Sequence, residues 1–402
     1  MHSTLSPTRL SPASLALAQQ LIRINTVSRN SNLPLIELAA DHLRSLGVEV
    51  RLTFNTEKTK ANLFATVGAG KPAGLILSGH TDTVPWDGQD WTLDPLGAAI
   101  KEAKREDGST ESRLYGRGSA DMKGFIACAL MQAKLYLESD LPYAIHYALS
   151  YDEEVGCFGV KELIADMKDA GIAPLACIVG EPTSMVPAIA HKGVYRWRCC
   201  VRGKEAHSSL TPHSVNAIEE AAKVVSFIRG MADDWRLNEP RYEGFDVPFS
   251  TASVGQFQGG IADNVVPRDA WFHYEFRDLP TADASLMQKQ VVALAESAQF
   301  AMKKVAPEAG FRFEEICAVP SFLGSEAHAV TQLAKRLSGE GKSTLVAFGT
   351  EAGLFKQAGI DTVVCGPGSI NQAHQPDEYV SLEQLARCEA FLQGLASHSL
   401  SA

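Results

Sequence analysis

Three observations predict an α/β protein: an α/β/α layer with a mixed central sheet, plus a smaller α+β unit inserted into it. Continuous apolar runs such as Leu75-Ile76-Leu77 alternate with helical segments through the first half of the chain, as expected of a sheet buried on both faces. From about His191 the order changes to strand, helix, strand, strand, helix, close to a split β-α-β-β-α-β (ferredoxin-like) unit. After Pro320 the helix and strand alternation returns, so the second unit interrupts the first. The 402 residues, at about 100 to 200 per domain, allow two or three domains. The assigned boundaries are 1–187 with 316–402 for the larger unit and 188–315 for the insert, punctuated by Gly/Pro segments near Pro187 and Pro320.

The elements follow in order. Ser11-Pro12 opens an amphipathic helix carrying Leu15, Leu17, Ala18, Leu21 and Ile22, and residues 35–46 form a second, stopped by Gly47. Strands are expected at 48–52, 62–67, 74–78, 144–150 and 176–179, with helices at 122–137 and 155–169. The polar stretch 101–112, KEAKREDGSTES, has no apolar periodicity and is expected to be an exposed loop between two strands. In the insert, strands are expected at 195–202, 250–257 and 268–276, and helices at 215–231 and 284–305. The return leg should hold a helix at 327–337, a strand at 362–365, and a last helix opened by Ser381-x-x-Gln384, a capping-box spacing.

Composition narrows the function. With 45% hydrophobic and 21% charged residues the chain is globular, and 37 basic against 47 acidic residues give a net charge of −10. That charge disfavours nucleic acid and anionic membrane and favours a small-molecule partner. No run approaches the roughly 18 apolar residues of a membrane span, and residues 1–10 lack the pattern of a secretory leader; a soluble cytoplasmic protein is expected. The eight cysteines are scattered without C-x-x-C spacing, several in apolar runs, and read as reduced core residues.

Chemistry-bearing residues cluster at or just beyond strand ends, where open α/β sheets place their sites. In His80-Thr81-Asp82, residues two apart project to one side, so Asp82 can reach the His80 ring and fix its tautomer, as a metal-ligating histidine requires. The glycine-rich turn Gly116 to Gly124 delivers Asp121 at a helix start, where an isolated Asp would be read simply as a cap. Gly116-x-Gly118 lacks the further glycine and the Gly-Lys-Ser/Thr of a nucleotide loop, so nucleotide binding is set aside. Asp152-Glu153-Glu154 places three acids directly after an apolar strand; such acids repel one another unless something positive sits among them, and a metal would supply it. Glu181 ends another strand, and His374 lies in a loop after the last one. Two histidines and several carboxylates at successive strand ends are ligand chemistry for a divalent ion such as zinc. Five ligands with one shared carboxylate suffice for two metals about 3.5 to 4 Å apart.

The ordered segments HTDTVP, GRGSADMKG, DEEVG, GEPT, GKEAHSS and GPGSINQAHQPDEY resemble the dinuclear zinc amidohydrolase and metallopeptidase family, whose members include acetylornithine deacetylase, succinyl-diaminopimelate desuccinylase, aminoacylase and glutamate carboxypeptidase. The resemblance spans nearly the whole chain. It implies that Asp121 bridges two metals, with His80 and Glu181 completing one site and Glu154 and His374 the other. It also implies Glu153 as general base, Asp82 as orienter of His80, and a cis peptide after Asp121. The residues alone leave Glu153 and Glu154 interchangeable. The insert resembles the family's lid and dimerisation domain, so a homodimer is implied, and His207 matches a histidine that reaches the active site, in many members that of the other subunit. Read without the family, His207 caps the region near Pro212. Asn264 and Arg277 match lid positions that hold substrate, and Ser214 departs from the glycine many relatives carry in its turn.

An amide resists hydrolysis because water is a poor nucleophile and the amine a poor leaving group. Two divalent cations, Zn2+ first and Co2+ second, with Glu153 as proton carrier and His207 at the oxyanion, address both. The implied substrate is an Nα-acyl amino acid, N2-acetyl-L-ornithine first, which belongs to arginine biosynthesis; succinyl-diaminopimelate or a broad range of N-acyl amino acids are the alternatives. Arg277 offers a fork for the α-carboxylate. Glu351 could pair with a side-chain amine or cap the helix beginning near Thr350, and Ala352-Gly353-Leu354 lacks the Arg that would suit a second carboxylate. A noncatalytic homologue, the alternative of another class, would normally have lost a ligand or the base.

Overall fold

The computed structural model describes residues 9–71, 74–105, 107–398 and 400. The N-terminal segment used above for the absence of a leader lies largely outside the described residues. The chain separates into two compact units, one comprising the residues up to Ala190, Leu323–Val346 and those from Thr350 onward, the other His191–Phe322 with Ala347–Gly349.

The first unit opens with α1 (Pro12–Arg23), capped by the Ser11 hydroxyl, which accepts the Ser14 N–H, and α2 (Leu33–Ser45). Strands β1 (Val50–Phe54), β2 (Ala61–Val67) and β3 (Leu75–His80) follow, then β4 (Ala99–Lys104) and β5 (Thr110–Tyr115). Next come α3 (Gly124–Met131), continued after a break at Gln132 as α4 (Ala133–Glu138), then β6 (Ile145–Ser150), α5 (Phe158–Asp169), β7 (Ala176–Pro182) and β8 (Ala188–His191). The second unit supplies β9 (Val194–Arg202), α6 (Ala217–Asn238), β10 (Thr251–Gly259), β11 (Asp269–Arg277), α7 (Ala284–Val305) and β12 (Gly310–Val319). The return leg holds β13 (Phe322–Leu323), α8 (Ala329–Ser338), β14 (Thr344–Val346), α9 (Ala352–Gln357), β15 (Asp361–Gly366), β16 (Tyr379–Ser381) and α10 (Leu382–Gly394), the last capped by Ser381 as its spacing indicated.

The large sheet runs β1-β2-β6-β3-β7-β15-β8-β13, with β14 beside β8. Its middle strands β6, β3, β7 and β15 are mutually parallel, whereas β1 and β2 pair antiparallel, so the sheet is mixed. Every residue of β3, β6 and β7 is buried. Leu75 and Leu77 join one core with α1, α2 and α3, while Ile76, projecting oppositely, is equally buried; helices therefore cover both faces. A close approach of helix to sheet is at Gly180 of β7, where a Cβ would fall 2.1 Å from the Phe125 ring of α3. Four adjacent parallel strands thus end along one edge.

The stretch 101–112 is corrected by the structure. Rather than a loop, it contributes to a hairpin of β4 and β5, which with β16 forms a three-stranded sheet. Its exposed faces carry charge, with Arg105 and Arg113 both on Glu111, and only Leu114 is buried. One inward residue gives no detectable period, while the backbone ladder holds the strands. The helix expected at 122–137 is shorter and divided at Gln132.

The second unit is a four-stranded antiparallel sheet in the order β10-β11-β9-β12 with α6 and α7, around Trp197, Cys199, Phe272, Tyr274, Phe276, Val224, Ile228 and Val291. Asn216 and Asp283 cap the two helices. Ser214 has φ −127°, which any residue adopts, and its hydroxyl donates to the Thr211 carbonyl at 2.9 Å; glycine is not needed there. Among the described residues no helix is long and apolar enough to cross a membrane, and all eight cysteines are free thiols, seven of them buried.

Candidate metal centre

The parallel strands of the large sheet deliver the site at their C-terminal ends. His80 is the last residue of β3, Glu153 and Glu154 follow β6, Glu181 lies near the end of β7, and His374 is in the loop after β15. Asp121 approaches from outside the sheet, in an irregular turn between β5 and α3. That turn needs Gly118 at φ +81°, where a Cβ would meet the Thr83 methyl at 2.7 Å. The peptide between Asp121 and Met122 is cis, as the resemblance implied.

Two donor groups form, one of His80, Asp121 and Glu181, the other of Asp121, Glu154 and His374, with all ligand atoms of each within 4.8 Å of one another. Asp121 belongs to both. His80 Nε2 lies 2.8 Å from Oδ1 of Asp121 and 3.6 Å from Oε1 of Glu181. His374 Nε2 lies 3.2 Å from Oδ2 of Asp121 and 3.1 Å from Oε2 of Glu154. The structure therefore brings the five residues expected as ligands into one cluster, divided about the two oxygens of a single carboxylate.

The electrostatics are those of a place built for positive charge. Burial, followed by the nearby carboxylates, pushes Glu181 well above the usual range, and Glu154 is raised by burial and Asp121. Burial works against a charged His80, yet Asp121 and Glu181 hold its pKa well above the ordinary value. His374 is likewise raised, to about 11, by Asp121 and Glu154 against the cost of burial. Asp121 is lowered despite its burial, because His374 and His80 both bond to it. Three carboxylates and two imidazoles, an oxygen and nitrogen set, suit zinc-like divalent ions, which would take over the role the imidazolium protons play here.

Asp82 meets His80 through two groups. The ring Nδ1 lies 3.0 Å from the backbone carbonyl of Asp82, whereas the Asp82 carboxylate is 3.7 Å away. The carboxylate also accepts the Ser28 hydroxyl at 2.7 Å and the backbone N–H groups of Glu153 and Glu154 at 3.1 and 3.3 Å. It shapes the turn bearing the two glutamates, a function hidden from the i, i+2 spacing. Nor are the three acids uncompensated, since Lys60 pairs with Asp152. Glu153 is in neither donor group. Burial, partly offset by His80 and then reinforced by Glu154 and Glu351, pushes it up to about 8, and the Cys157 thiol donates to its Oε1 at 3.3 Å.

Glu351 does not cap α9; Thr350 Oγ1 accepts the Ala352 N–H instead. Its carboxylate is 1% exposed and accepts the Ser78 hydroxyl at 2.9 Å and the Ser150 hydroxyl, tying α9 to the strands that end in His80 and precede Glu153.

In the second unit, His207 and Asn264 sit on neighbouring loops: Ser208 N–H donates to the Asn264 carbonyl at 3.0 Å and Val266 N–H to the Ala206 carbonyl at 2.8 Å. His207 is exposed and caps the short helix Ser208–His213, its Nδ1 accepting the Ser209 N–H at 3.2 Å. The same Nδ1 lies 2.8 Å from the Ser209 hydroxyl. Arg277 ends β11, its Nε 2.7 Å from Glu275. Asn264 precedes β11 and Arg277 is its last residue; the strand itself, eight steps at about 3.3 Å each, is about 26 Å long.

Residues 76–398 match peptidase family M20/M25/M40; the chain belongs to that family of metal-dependent hydrolases. It is 36% identical over 396 residues to the acetylornithine deacetylase of Myxococcus xanthus, covering 96% of this chain and 97% of that protein. It is 33% identical over 382 residues to the acetylornithine deacetylase of Pasteurella multocida, covering 92% and 94%. Among solved structures, an M20 family metallo-carboxypeptidase from Sulfolobus solfataricus shares the fold with a TM-score of 0.73 at 20% identity, over 96% of this chain and 100% of that one.

Proposed function

We propose that the protein hydrolyses the amide bond of N2-acetyl-L-ornithine to L-ornithine and acetate, using two divalent cations, zinc first and cobalt second. The observation that carries the reading is the sharing of Asp121 between two donor groups; the similarity to acetylornithine deacetylases over almost the whole chain supports the substrate. In this reading His80, Asp121 and Glu181 hold one cation and Asp121, Glu154 and His374 the other.

When bound, the cations lower the pKa of water and polarise the acyl carbonyl. Glu153, outside both donor groups and raised by burial, takes the proton of the attacking water and delivers it to the departing nitrogen. Asp82 holds Glu153 in place through its backbone N–H. His207 and Asn264 meet the developing oxyanion and the acyl group. Arg277, one edge of its guanidinium held by Glu275, offers its remaining N–H groups to the α-carboxylate. Glu351 favours a cationic side chain through its field rather than by contact, since both its oxygens are bonded to serines.

His207 and Arg277 stand at opposite ends of β11, a span no acyl amino acid bridges. A second copy supplying one of them would explain both positions, which supports reading the enzyme as a homodimer through the inserted unit; in this reading it acts in the cytoplasm. The test is turnover of acetylornithine, succinyl-diaminopimelate and acetylmethionine by the metal-loaded protein, with Glu351→Gln alongside. The reading expects acetylornithine to be preferred and that preference over acetylmethionine to shrink in the variant; a preference for succinyl-diaminopimelate overturns the substrate.

A further inference from the structure

The carboxylate of Glu378 takes no part in either donor group, yet it is 1% exposed and accepts four bonds. Its Oε1 receives the backbone N–H groups of Ala120 at 3.0 Å and Asp121 at 3.2 Å, and its Oε2 receives Gly118 N–H at 3.1 Å and Arg117 Nη1 at 2.8 Å. Asp121 (φ −124°, ψ 91°) and Met122 (φ −136°, ψ 34°) break the helical path in this turn, and Glu378 accepts three of its backbone N–H groups, those of Gly118, Ala120 and Asp121. All four partners are donors, which only an acceptor-only group satisfies in full.

The network reaches the other loop as well. Arg117, also 1% exposed, bonds Oε1 of Gln89 and lies 3.4 Å from the Gln375 carbonyl, and Gln89 Nε2 donates to the His374 carbonyl at 2.8 Å. One chain of bonds therefore joins the backbone carrying Asp121 to the backbone carrying His374. Arg117 balances the charge of Glu378, so this carboxylate does not compete for the cations.

Resting on the dinuclear reading above, we propose that Glu378, with Arg117 and Gln89, is a positioning residue that sets Asp121 against His374 and thereby fixes occupancy of the cation site formed by Asp121, Glu154 and His374. A glutamine at 378 would turn an NH2 group toward backbone donors and shift that turn.

The test is cobalt(II) titration of the chelated protein followed by visible absorption, for the unaltered chain, Glu378→Gln, Gln89→Ala and Glu389→Gln. Glu389 is a buried carboxylate control on α10, bonded to Ser11 and Ser14. Glu378→Gln should weaken one of the two cobalt sites by about 10- to 100-fold, alter its absorption bands and lower kcat at least about tenfold with KM little changed. Gln89→Ala, which leaves the buried pair intact, should show the same changes on a smaller scale and decides the matter if Glu378→Gln fails to fold. Glu389→Gln should lose thermal stability but titrate normally. Unaltered cobalt binding in Gln89→Ala and in a folded Glu378→Gln overturns the positioning role alone, whereas no cobalt uptake by the unaltered chain overturns the dinuclear reading beneath it.

Discussion

The Asp82 carboxylate accepts the backbone N–H of Glu153 at 3.1 Å, linking the end of the strand that carries His80 to the turn that carries Glu153 and Glu154. Its second oxygen takes Glu154 N–H and the Ser28 hydroxyl. Asp82→Ala should release this turn, lowering cation affinity and kcat each by about 10- to 100-fold. Asp82→Asn, which retains one acceptor oxygen, should lose less. Cobalt titration and steady-state kinetics check both, and an alanine variant that binds cobalt normally contradicts the assignment.

Glu153 lies outside both donor groups, so removing its charge should separate binding from chemistry. Glu153→Gln is expected to keep about two cations while kcat falls by about 10²- to 10⁴-fold. Loss of a cation in this variant would show that Glu153 is a ligand.

The pKa shifts set the pH behaviour of the cation-free protein. Glu153 is raised from 4.5 to about 8 by burial, and His374 from 6.5 to about 11 by Asp121 and Glu154 against burial. In both cases the folded chain holds more protons than the unfolded chain between the two values, so stability falls as pH rises across each window. The Tm of chelated protein should therefore decline from about pH 5 to about pH 9. Cations compete with the proton on His374, so the gain in Tm on adding zinc should grow over the same range. Calorimetry with and without chelator measures this; a cation-dependent gain that shrinks with rising pH contradicts it.

The placement of His207 and Arg277 at opposite ends of β11 makes a prediction about assembly. If the proposed homodimer shares His207 across subunits, mixing inactive His207→Ala and Glu153→Ala chains should restore about a quarter of the unaltered activity, because half the dimers would be mixed and one of the two sites in each complete. No recovery after verified subunit exchange places His207 in its own chain's site.

Much of the fold was legible because burial leaves a strong pattern. The apolar runs at β3, β6 and β7 and the caps at Ser11 and Ser381 could be read directly. The hairpin of β4 and β5 could not, since Leu114 is its only buried residue. At the site, residue types at strand ends pointed to His80, Asp121, Glu181 and His374, but only the family resemblance separated Glu153 from Glu154. The bonds of the Asp82 carboxylate to the backbone of Glu153 and Glu154 were missed because the i, i+2 spacing points only toward His80. Glu378 lay within a segment already singled out, two acids side by side. What distinguishes it is the set of backbone donors 257 to 260 positions away, which local spacing does not encode.

The most direct measurement is the cation content of the purified chain after loading, compared with that of Asp121→Ala. Two equivalents of zinc or cobalt in the first and a loss of both tightly held ions in the second are expected, because one carboxylate serves both donor groups. An Asp121→Ala chain that keeps two tightly bound ions, or an unaltered chain that releases acetate with none, contradicts the account.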